Sequence, residues 1–341
     1  MDVGPRIGPR LGFVRLPAGM RSFGIVILAS IRGGLQRPGS SLLTGSWPVP
    51  TLSAVSSPPI VIHDPDDLAE FQGGTFVPTM GALHQGHLSL VEQGRLLGGP
   101  VIASIFVNPT QFAPGEDFDS YPRGLDRDVE LAARAGCDVV FAPSASTVYP
   151  DGPEAAVAAA ATFPLPAVAT EPGLEDADRP RFFGGVCLVV STLFRMVRPR
   201  RAVFGEKDWQ QLRVVEAMTR TDPALAGIEI VPGPTVRDPD GLAMSSRNAR
   251  IPADQRDRAL GLTRALQVAH AAQHPRTAET MMLDVLDDHG LEVDYAVVRD
   301  AESLREVPDF TGGTRGLVAA RLRWDDDEVR LIDNRAMTVW R

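Results

Sequence analysis

Two histidines three residues apart are the first candidates for chemistry in this sequence. They lie in VPTMGALHQGH (residues 77–87), where an apolar run leads through glycines into a helical pattern containing His84 and His87. Helix N-termini offer free N–H groups and positive potential, and residues three apart share a face, so both imidazoles could contact one phosphate. Gly86 would let a flat ligand approach the backbone, because it has no side chain. Two alternatives stay open: histidines that only cap the helix, and a metal site, which would need a third ligand.

A lysine is the second candidate, because Lys207 is the only lysine among 34 Lys and Arg residues. Lysine and arginine differ in shape and hydration, so a lysine retained in an arginine-rich chain indicates a chemical requirement; survival by chance is the alternative. It lies in FGEKDWQQ (residues 204–211), which follows an apolar run and opens a helical pattern. Its ammonium could neutralise charge on a transferring phosphoryl group, and Asp208 could accept hydrogen bonds from ribose hydroxyls. Gln211 is expected on the same helix face as Asp208.

Two further segments carry polar side chains that suit ligands. GLAMSSRN (residues 241–248) holds two hydroxyls and an arginine in succession: Ser245, Ser246 and Arg247. These groups suit triphosphate oxygens, which arginine can bind in a bidentate way; a turn with a capping serine is the alternative. NPTQF (residues 108–112) follows a continuous apolar run, and Gln111 could bind a hydroxyl or carboxylate group, with a structural loop as the other interpretation.

The first three segments together predict adenylyl transfer. Two histidines and a lysine would surround the α-phosphate of ATP, while the Ser-Ser-Arg loop would hold the β- and γ-phosphates. No carboxylate pair and no nucleophile with an adjacent base is evident in the sequence, so covalent catalysis is not indicated. Two alternatives use the same features: an adenylyl- or cytidylyltransferase that makes a stable nucleotide product, and a nucleotide-binding protein without catalysis.

These segments need a scaffold that brings them together, and the hydrophobic pattern supplies one. From residue 75 short apolar runs alternate with amphipathic stretches. We predict strands over residues 75–78, 101–107, 138–141, 202–204 and 228–231, and helices over residues 87–97, 126–135, 186–197 and 208–220. Such alternation predicts the α/β class, a doubly wound (Rossmann-like) parallel sheet that binds ligands at the carboxyl ends of its strands.

After about residue 234 the pattern changes to that of a smaller α+β domain. Helices are predicted over residues 252–272 and 277–288, the second with Thr277 as its N-cap. Strands are predicted over residues 293–298, 316–323 and 328–332, the last two joined by a turn at residues 325–327. We therefore predict a Rossmann-like domain at residues 55–234 and an α+β C-terminal domain at residues 235–341. The Ala- and Pro-rich residues 153–173 are expected to form a surface excursion.

Composition limits the classes of partner. Residues 1–54 are rich in Arg, Gly, Pro and Ser without any period, so we expect a disordered or dispensable extension. The net charge of −9 argues against nucleic acid as a partner, and no apolar run is long enough to span a bilayer, which argues against a membrane partner. Cys137 and Cys187 cannot build a disulfide framework and lack the Cys-x-x-Cys spacing of a zinc site, so a reducing cytoplasmic setting fits best.

Longer strings resemble one family. VPTMGALHQGH (77–87), IFVNPTQF (105–112), YPR (121–123), FGEKDWQQL (204–212), PTVR (234–237) and DGLAMSSRN (240–248) closely resemble the motifs of the pantothenate synthetase (pantoate–β-alanine ligase) family, in order along residues 59–341. The histidine pair with its glycine is also the signature of the wider nucleotidyltransferase superfamily. The resemblance implies a two-step reaction: the pantoate carboxylate attacks the α-phosphorus of ATP and releases pyrophosphate, and the amine of β-alanine then displaces AMP from pantoyl adenylate to give pantothenate.

The resemblance also implies residue roles. His87 corresponds to the catalytic histidine, and His84 and Lys207 would help it to stabilise charge on the α-phosphate. Residues expected along ATP are Met80, Gly81, Ala82, Leu83, His84, Gln85, Gly86, His87, Gly205, Glu206, Lys207, Asp208, Val236, Met244, Ser245, Ser246 and Arg247. Residues expected at pantoate and β-alanine are Gln111, Gln211, Asn108, Thr79, Arg179 and Asp128.

The resemblance further implies Mg²⁺ carried on the ATP phosphates with no dedicated protein site, a cytoplasmic homodimer, and a C-terminal domain that closes as a lid over the adenylate. Three positions depart from the family pattern: Gly124 where threonine is usual, Phe182 where histidine is frequent, and Trp209 where tyrosine is usual. These positions are expected near the small substrates, so we expect them to affect the use of β-alanine and not the ATP motifs.

Overall fold

A six-stranded parallel sheet forms the larger part of the structure. The computed structural model describes residues 58–112, 118–119 and 121–337. The sheet has the order β1-β4-β3-β2-β5-β6, with every neighbouring pair parallel. Its strands are β1 (Ile60–Ile62), β2 (Thr75–Thr79), β3 (Val101–Ile105), β4 (Val139–Phe141), β5 (Arg201–Gly205) and β6 (Glu229–Gly233). The predicted doubly wound α/β class is confirmed.

Helices cover both faces of this sheet. The α-helices of the described chain are α1 (Gln85–Leu96), α2 (Leu125–Ala135), α3 (Ala145–Val148), α4 (Pro153–Ala161), α5 (Glu175–Asp178), α6 (Phe182–Val197), α7 (Trp209–Thr221), α8 (Arg256–Ala259), α9 (Gly261–Val268) and α10 (Pro275–Asp288). Alternate strand residues point to opposite faces, so Phe76 packs in one core with α6 and α7, whereas Val77 packs in another with α1 and α2.

The strand order places a switch point beside β2. The chain runs from β2 to β3 on one side, and β5 then pairs with the other side of β2. Loops that leave the carboxyl ends of β2 and β5 diverge there and open a crevice, which is where sheets of this kind bind ligands. The histidine segment and the lysine segment follow these two strands.

A three-stranded antiparallel sheet follows the parallel one in sequence. Its order is β7-β8-β9, with β7 (Glu292–Asp300), β8 (Thr314–Trp324) and β9 (Asp327–Met337). The predicted tight turn before β9 is confirmed, with Asp325 at a φ of 48°. Apolar residues of α9 and α10 pack on this sheet in a core of their own. The division into domains at residues 234 and 235 stays a prediction.

Two helix predictions in this part are wrong. Residues 252–272 do not form one helix, because α8 ends at Ala259 and α9 begins at Gly261. A Cβ on Gly261 would lie 2.9 Å from the side chain of His289, so glycine, a poor helix former, is required there by the close approach of the residue that follows α10. Thr277 is not an N-cap: α10 begins at Pro275, whose fixed φ suits the first helical position.

The Ala- and Pro-rich segment, predicted as a surface excursion, is mostly exposed and contains one α-helix. Residues Pro153–Ala161 form α4, because alanine is the best helix former. The small side chains of Ala156 and Ala160 are buried in close contact with the rest of the structure. The three-residue strand β1 was not predicted; only its pairing with β4 identifies it. The predicted extension at residues 1–54 lies outside the described residues. None of the described helices has the length and hydropathy that crossing a membrane requires.

Candidate active site

The turn after β2 has an unusual backbone that a buried carboxylate holds. Gly81 and Ala82 have φ values of 81° and 50°, a region that side chains other than glycine rarely adopt. Asp128 from α2, which is 2% exposed, accepts hydrogen bonds from Ala82 N–H (2.9 Å) and Leu83 N–H (2.8 Å). Both carboxylate oxygens therefore accept hydrogen bonds from the backbone of this turn, and a role of Asp128 beside the small substrates stays a prediction.

The histidine pair caps α1. His84 is the N-cap residue, and its Nδ1 accepts a hydrogen bond from Gly86 N–H (3.1 Å). The Nδ1 of His87 accepts one from His84 N–H (3.4 Å), and the ring centroids lie 4.1 Å apart. The capping interpretation is confirmed, but it uses only one nitrogen of each ring. A Cβ on Gly86 would lie 2.8 Å from the His84 ring, so glycine is needed there for the ring itself.

The two imidazoles are neutral hydrogen-bond donors. Burial, together with the neighbouring His84, lowers the pKa of His87 from its ordinary value to about 3. Burial and then the charge of Lys207 lower the pKa of His84. Because each Nδ1 accepts a backbone hydrogen bond, the ring proton of each neutral imidazole is on Nε2. Both rings line the cavity described below, so each can offer an Nε2–H to an anion without carrying charge.

The lowered pKa of His87 predicts an acid-sensitive fold. Between pH 6.5 and about 3 the unfolded chain binds a proton at His87 that the folded chain does not, so stability falls as pH falls through this window. The ring is half-buried in a water-accessible cavity, so we expect His87 to lower the free energy of unfolding at pH 5 by about 1 to 2 kcal/mol relative to neutral pH. Urea unfolding at pH 7.5, 6 and 5 should show a smaller loss for His87→Gln than for wild type. Parallel losses in both proteins would contradict the assigned pKa direction.

Lys207 lies in a short turn after β5. Residues Glu206–Asp208 form one 3₁₀ turn, and the Lys207 Nζ lies 3.6 Å from the Asp208 Oδ1. The side chain of Lys207 is 20% exposed. Because β5 pairs directly with β2, this turn and the histidine pair share the switch point. The structure thus brings an ammonium and two N–H donors to one side of one crevice.

The Ser-Ser-Arg loop is joined to the PTVR motif. Met244 N–H donates to the Val236 carbonyl (2.9 Å), and Arg237 pairs with Ala243 as an antiparallel bridge. The Ser245 hydroxyl accepts from Arg247 N–H (3.3 Å), so the capping-serine interpretation is confirmed as well. These two motifs therefore form one structural unit beside the lysine turn.

A buried asparagine shapes the turn that carries Gln111. The side chain of Asn108, 1% exposed, accepts from Tyr149 Oη (2.7 Å) and donates to Gln111 Oε1 (3.1 Å) and to the Gly185 carbonyl (3.2 Å). The Nε2 of Gln111 lies 3.1 Å from the Met80 sulfur. Asn108 thus supports the turn, and Gln111 is held between β3 and the histidine turn.

These segments surround one cavity of about 1200 Å³. Of the residues predicted from sequence it is lined by Thr79, Met80, His84, Gly86, His87, Asn108, Gln111, Arg179, Gly205, Lys207, Asp208, Gln211, Val236, Met244, Ser245, Ser246 and Arg247, and the departing residues Phe182 and Trp209 also line it. Six predicted residues do not line it, namely Gly81, Ala82, Leu83, Gln85, Glu206 and Asp128. In the described chain no group of three His, Cys, Asp or Glu side chains could hold a metal, so a third ligand for the histidine pair is not found there.

Sequence reasoning missed the contribution of the C-terminal sheet. Residues from β9 line the cavity, among them Arg330, Asp333 and Asn334. Arg330 makes two hydrogen bonds of 2.8 Å to Glu175 of α5, which also accepts from Tyr295 Oη (2.8 Å). Arg330 lies in the alternating part of the strand, and Asp333 and Asn334 follow the predicted strand end at residue 332, so no local signal marked them as part of the site.

The sequence relatives of this chain carry one consistent function. The family model described as pantoate-beta-alanine ligase matches residues 65–336. The chain is 46% identical over 268 residues to the pantothenate synthetase of Rubrobacter xylanophilus, covering 76% of this chain and 90% of the relative. It is 46% identical over 287 residues to that of Thiobacillus denitrificans, covering 82% and 97%.

Solved structures agree with these relatives. A pantothenate synthetase from Thermus thermophilus is 39% identical, with a TM-score of 0.72 and coverage of 81% of this chain and 98% of that one. A pantoate-beta-alanine ligase from Francisella tularensis, complexed with beta-gamma ATP and beta-alanine, is 29% identical, with a TM-score of 0.64 and coverage of 82% and 97%.

Proposed function

The chain belongs to the pantoate-beta-alanine ligase family, amide-forming ligases of pantothenate biosynthesis, and from this premise we propose how its residues carry out the reaction. The reaction joins the carboxylate of pantoate to the amine of β-alanine and converts ATP to AMP and pyrophosphate. One observation supports the assignment of roles most strongly: two neutral imidazoles, the only lysine and the Ser-Ser-Arg loop line the same cavity.

The first step forms pantoyl adenylate. A carboxylate oxygen of pantoate attacks the α-phosphorus of ATP, and the bond from that phosphorus to the bridging oxygen of pyrophosphate breaks. His84 and His87 donate from Nε2 to the α-phosphate oxygens, and Lys207 neutralises their growing charge. Donors held in place before the reaction stabilise the transition state because they need no reorientation. The β- and γ-phosphates leave as pyrophosphate, which the Ser-Ser-Arg loop, residues 245–247, binds.

The second step forms the amide. The neutral amine of β-alanine attacks the acyl carbon of pantoyl adenylate, the bond from that carbon to the phosphate oxygen breaks, AMP leaves, and the amine proton passes to water. Gln111 and Gln211 hold the hydroxyls and carboxylate of pantoate, with Asn108 and Thr79 supporting the turns around them. Arg179, whose guanidinium lies 4.0 Å from the ring centroid of the neighbouring phenylalanine at position 182, forms the wall beside β-alanine. The C-terminal domain acts as a lid that keeps water from the adenylate.

Mg²⁺ enters as part of the ATP substrate. The phosphate oxygens are hard ligands of the kind that Mg²⁺ prefers, so the ion needs few protein ligands. We also propose that the protein is a cytoplasmic homodimer, as the resemblance implies. Cys137 and Cys187 are buried free thiols, which suits a reducing compartment. Light scattering of the purified chain tests the dimer.

Product analysis tests the function directly. The purified chain is incubated with ATP, Mg²⁺ and pantoate, with and without β-alanine, and AMP and pyrophosphate are measured. We expect sustained AMP and pantothenate only when all components are present. Sustained pyrophosphate release that ignores β-alanine would indicate a nucleotidyltransferase with another product, and no turnover in any mixture would indicate a binding protein.

A glycine pair on α6 tests the role of Gln111. A Cβ on Gly185 would lie 2.3 Å from the Thr110 carbonyl oxygen and 2.7 Å from Gln111 N, so Gly185→Ala must displace this turn. We expect the KM for pantoate to rise about tenfold while the KM for ATP changes less than about twofold. Steady-state kinetics with each substrate varied measures both.

The adjacent glycine is the matched control. A Cβ on Gly184 would lie 2.2 Å from the Ala160 carbonyl oxygen, an equally severe contact on the α4 side. Gly184→Ala should therefore lower the melting temperature without changing the KM for pantoate. Equal changes in pantoate KM for both variants would show that the effect of Gly185→Ala is general destabilisation.

A further inference from the structure

Two neighbouring residues of β9 hold separate parts of the cavity wall. Asp333 and Asn334 are consecutive in the strand, so their side chains leave opposite faces of the sheet. They are 2% and 4% exposed. Asp333 pairs with Arg237 through two hydrogen bonds (2.7 and 2.9 Å) and so supports the segment that contains Val236. Asn334 reaches the turn that carries Lys207.

Asn334 uses both hydrogens of its side-chain amide on that contact. Its Nδ2 donates to the carbonyls of Glu206 (2.9 Å) and Lys207 (2.8 Å), which accounts for both amide hydrogens. Its Oδ1 accepts from Arg315 Nε (2.5 Å). The 3₁₀ turn at Glu206–Asp208 has no side-chain cap of its own. The C-terminal sheet therefore supplies the side-chain support that this turn lacks locally.

Arg315 and Trp209 fix Asn334 in this orientation. Arg315, 7% exposed, also donates to Glu206 Oε2 (2.8 Å), and its guanidinium lies 3.4 Å from the centroid of the Trp209 ring. The Trp209 indole N–H donates to the Ala301 carbonyl (2.9 Å), so the first residue of α7 is tied to the C-terminal part as well. The amide of Asn334 is thus oriented by partners on both sides.

The geometry points to Asn334 as a positioning residue for Lys207, acting from the C-terminal sheet through the backbone of the Glu206–Asp208 turn. A lysine side chain is long and flexible, so the place of its ammonium depends on how well its backbone is held. Displacement of a charge-stabilising group by about 1 Å can cost about 100-fold in rate. This inference rests on the proposed function, because Lys207 must act on the α-phosphate for its position to matter to turnover.

Two replacements of similar size distinguish the effect of losing both donors from the effect of adding a charge. Asn334→Asp keeps the shape but removes both donors and adds a negative charge, and Asn334→Leu removes both donors without charge. We expect each to lower kcat for pyrophosphate release by about 10- to 100-fold, with the KM for ATP changed less than about threefold. Arg335→Gln, the next residue of β9 and exposed, is the control and should keep wild-type kinetics.

A double-mutant cycle tests whether Asn334 acts through Lys207. In a Lys207→Ala background, the Asn334 replacements should lower single-turnover pyrophosphate formation by less than about threefold, because the group they position is absent. An equal loss in both backgrounds would overturn the inference. Arg315→Gln keeps the two Asn334 donors but removes the partner that orients them. It should lower single-turnover pyrophosphate formation by a smaller factor, and this loss should also disappear in the Lys207→Ala background. It provides a second route if Asn334 variants do not fold.

Hydrogen exchange gives a readout that does not depend on activity. Without substrates, amides in residues 205–212 should exchange faster in Asn334→Leu than in wild type, while the peptide of α1 exchanges at the wild-type rate. Unchanged exchange at residues 205–212 would overturn the inference even if turnover fell. If wild type formed no pantothenate, the proposed function would fail, and the exchange result would still decide the positioning role.

Discussion

Replacing His87 by alanine is expected to lower kcat for pyrophosphate release by about 100- to 1000-fold, the range typical of removing one preorganised donor to a developing anion. The low pKa of His87, about 3, means that the ring acts as a neutral donor and not as an acid. Its Nδ1 is occupied by the backbone of His84, so Nε2–H is the group that is lost. Charge on the α-phosphate grows mainly in the transition state, so the loss should appear in kcat.

ATP binding should change far less, by about tenfold at most, because several other groups contact the triphosphate. Single-turnover kinetics at saturating ATP and titration with a non-hydrolysable ATP analogue separate the two quantities. His63→Ala is the matched control, because His63 is exposed and lies on the loop after β1, outside the lining of the cavity. An affinity loss as large as the rate loss would show that His87 binds the ground state.

Lys207→Arg is expected to lower kcat by about 100-fold or more although the positive charge is kept. The guanidinium is larger and planar, and the Asp208 carboxylate 3.6 Å from the ammonium offers it a bidentate partner away from the phosphate. The backbone of the turn cannot shift to compensate, because Asn334 holds two of its carbonyls. The comparison therefore measures geometry separately from charge.

Lys207→Ala, measured in parallel, gives the cost of removing the charge altogether. Arg276→Lys, at an exposed position of α10, is the reverse exchange and should leave kcat unchanged. Single-turnover pyrophosphate release is the readout for all three. Wild-type turnover in Lys207→Arg would mean that any cation suffices and that the single lysine of this chain reflects composition.

Local pattern predicted most of the regular structure. Apolar runs identified β2 to β6. Of these, β2, β3, β4 and β5 are largely buried and read as continuous hydrophobic segments, whereas β6 lies at the sheet edge and is mostly exposed or half-buried. The clearest failures have one cause, which is contact with distant residues. The helix predicted at residues 252–272 is interrupted at Leu260, next to Gly261, against which His289 packs, and β1 is a strand only because β4 pairs with it.

The site shows the same division between what local pattern predicts and what contacts with distant residues decide. The glycine turn with His84 and His87, and the single Lys207, carried a clear local signal, and the structure places these side chains in one cavity. The family resemblance pointed to Asp128 as well, but its carboxylate accepts hydrogen bonds from the backbone of the turn that follows β2. Asn334 had no local signal, because it lies beyond the predicted strand end at residue 332, in a short polar run whose partners only the fold identifies.

The sequence by itself determined the family, the α/β class and the residue types at the ends of β2 and β5, because these depend on short-range spacing. Only the tertiary structure decided the protonation and the tautomers of His84 and His87, since burial and backbone partners set both. It also decided that β9 supports the distant lysine turn. Hydrogen bonds between Asn334 and the carbonyls of Glu206 and Lys207 join positions 128 and 127 residues apart, and no local pattern can encode such a contact.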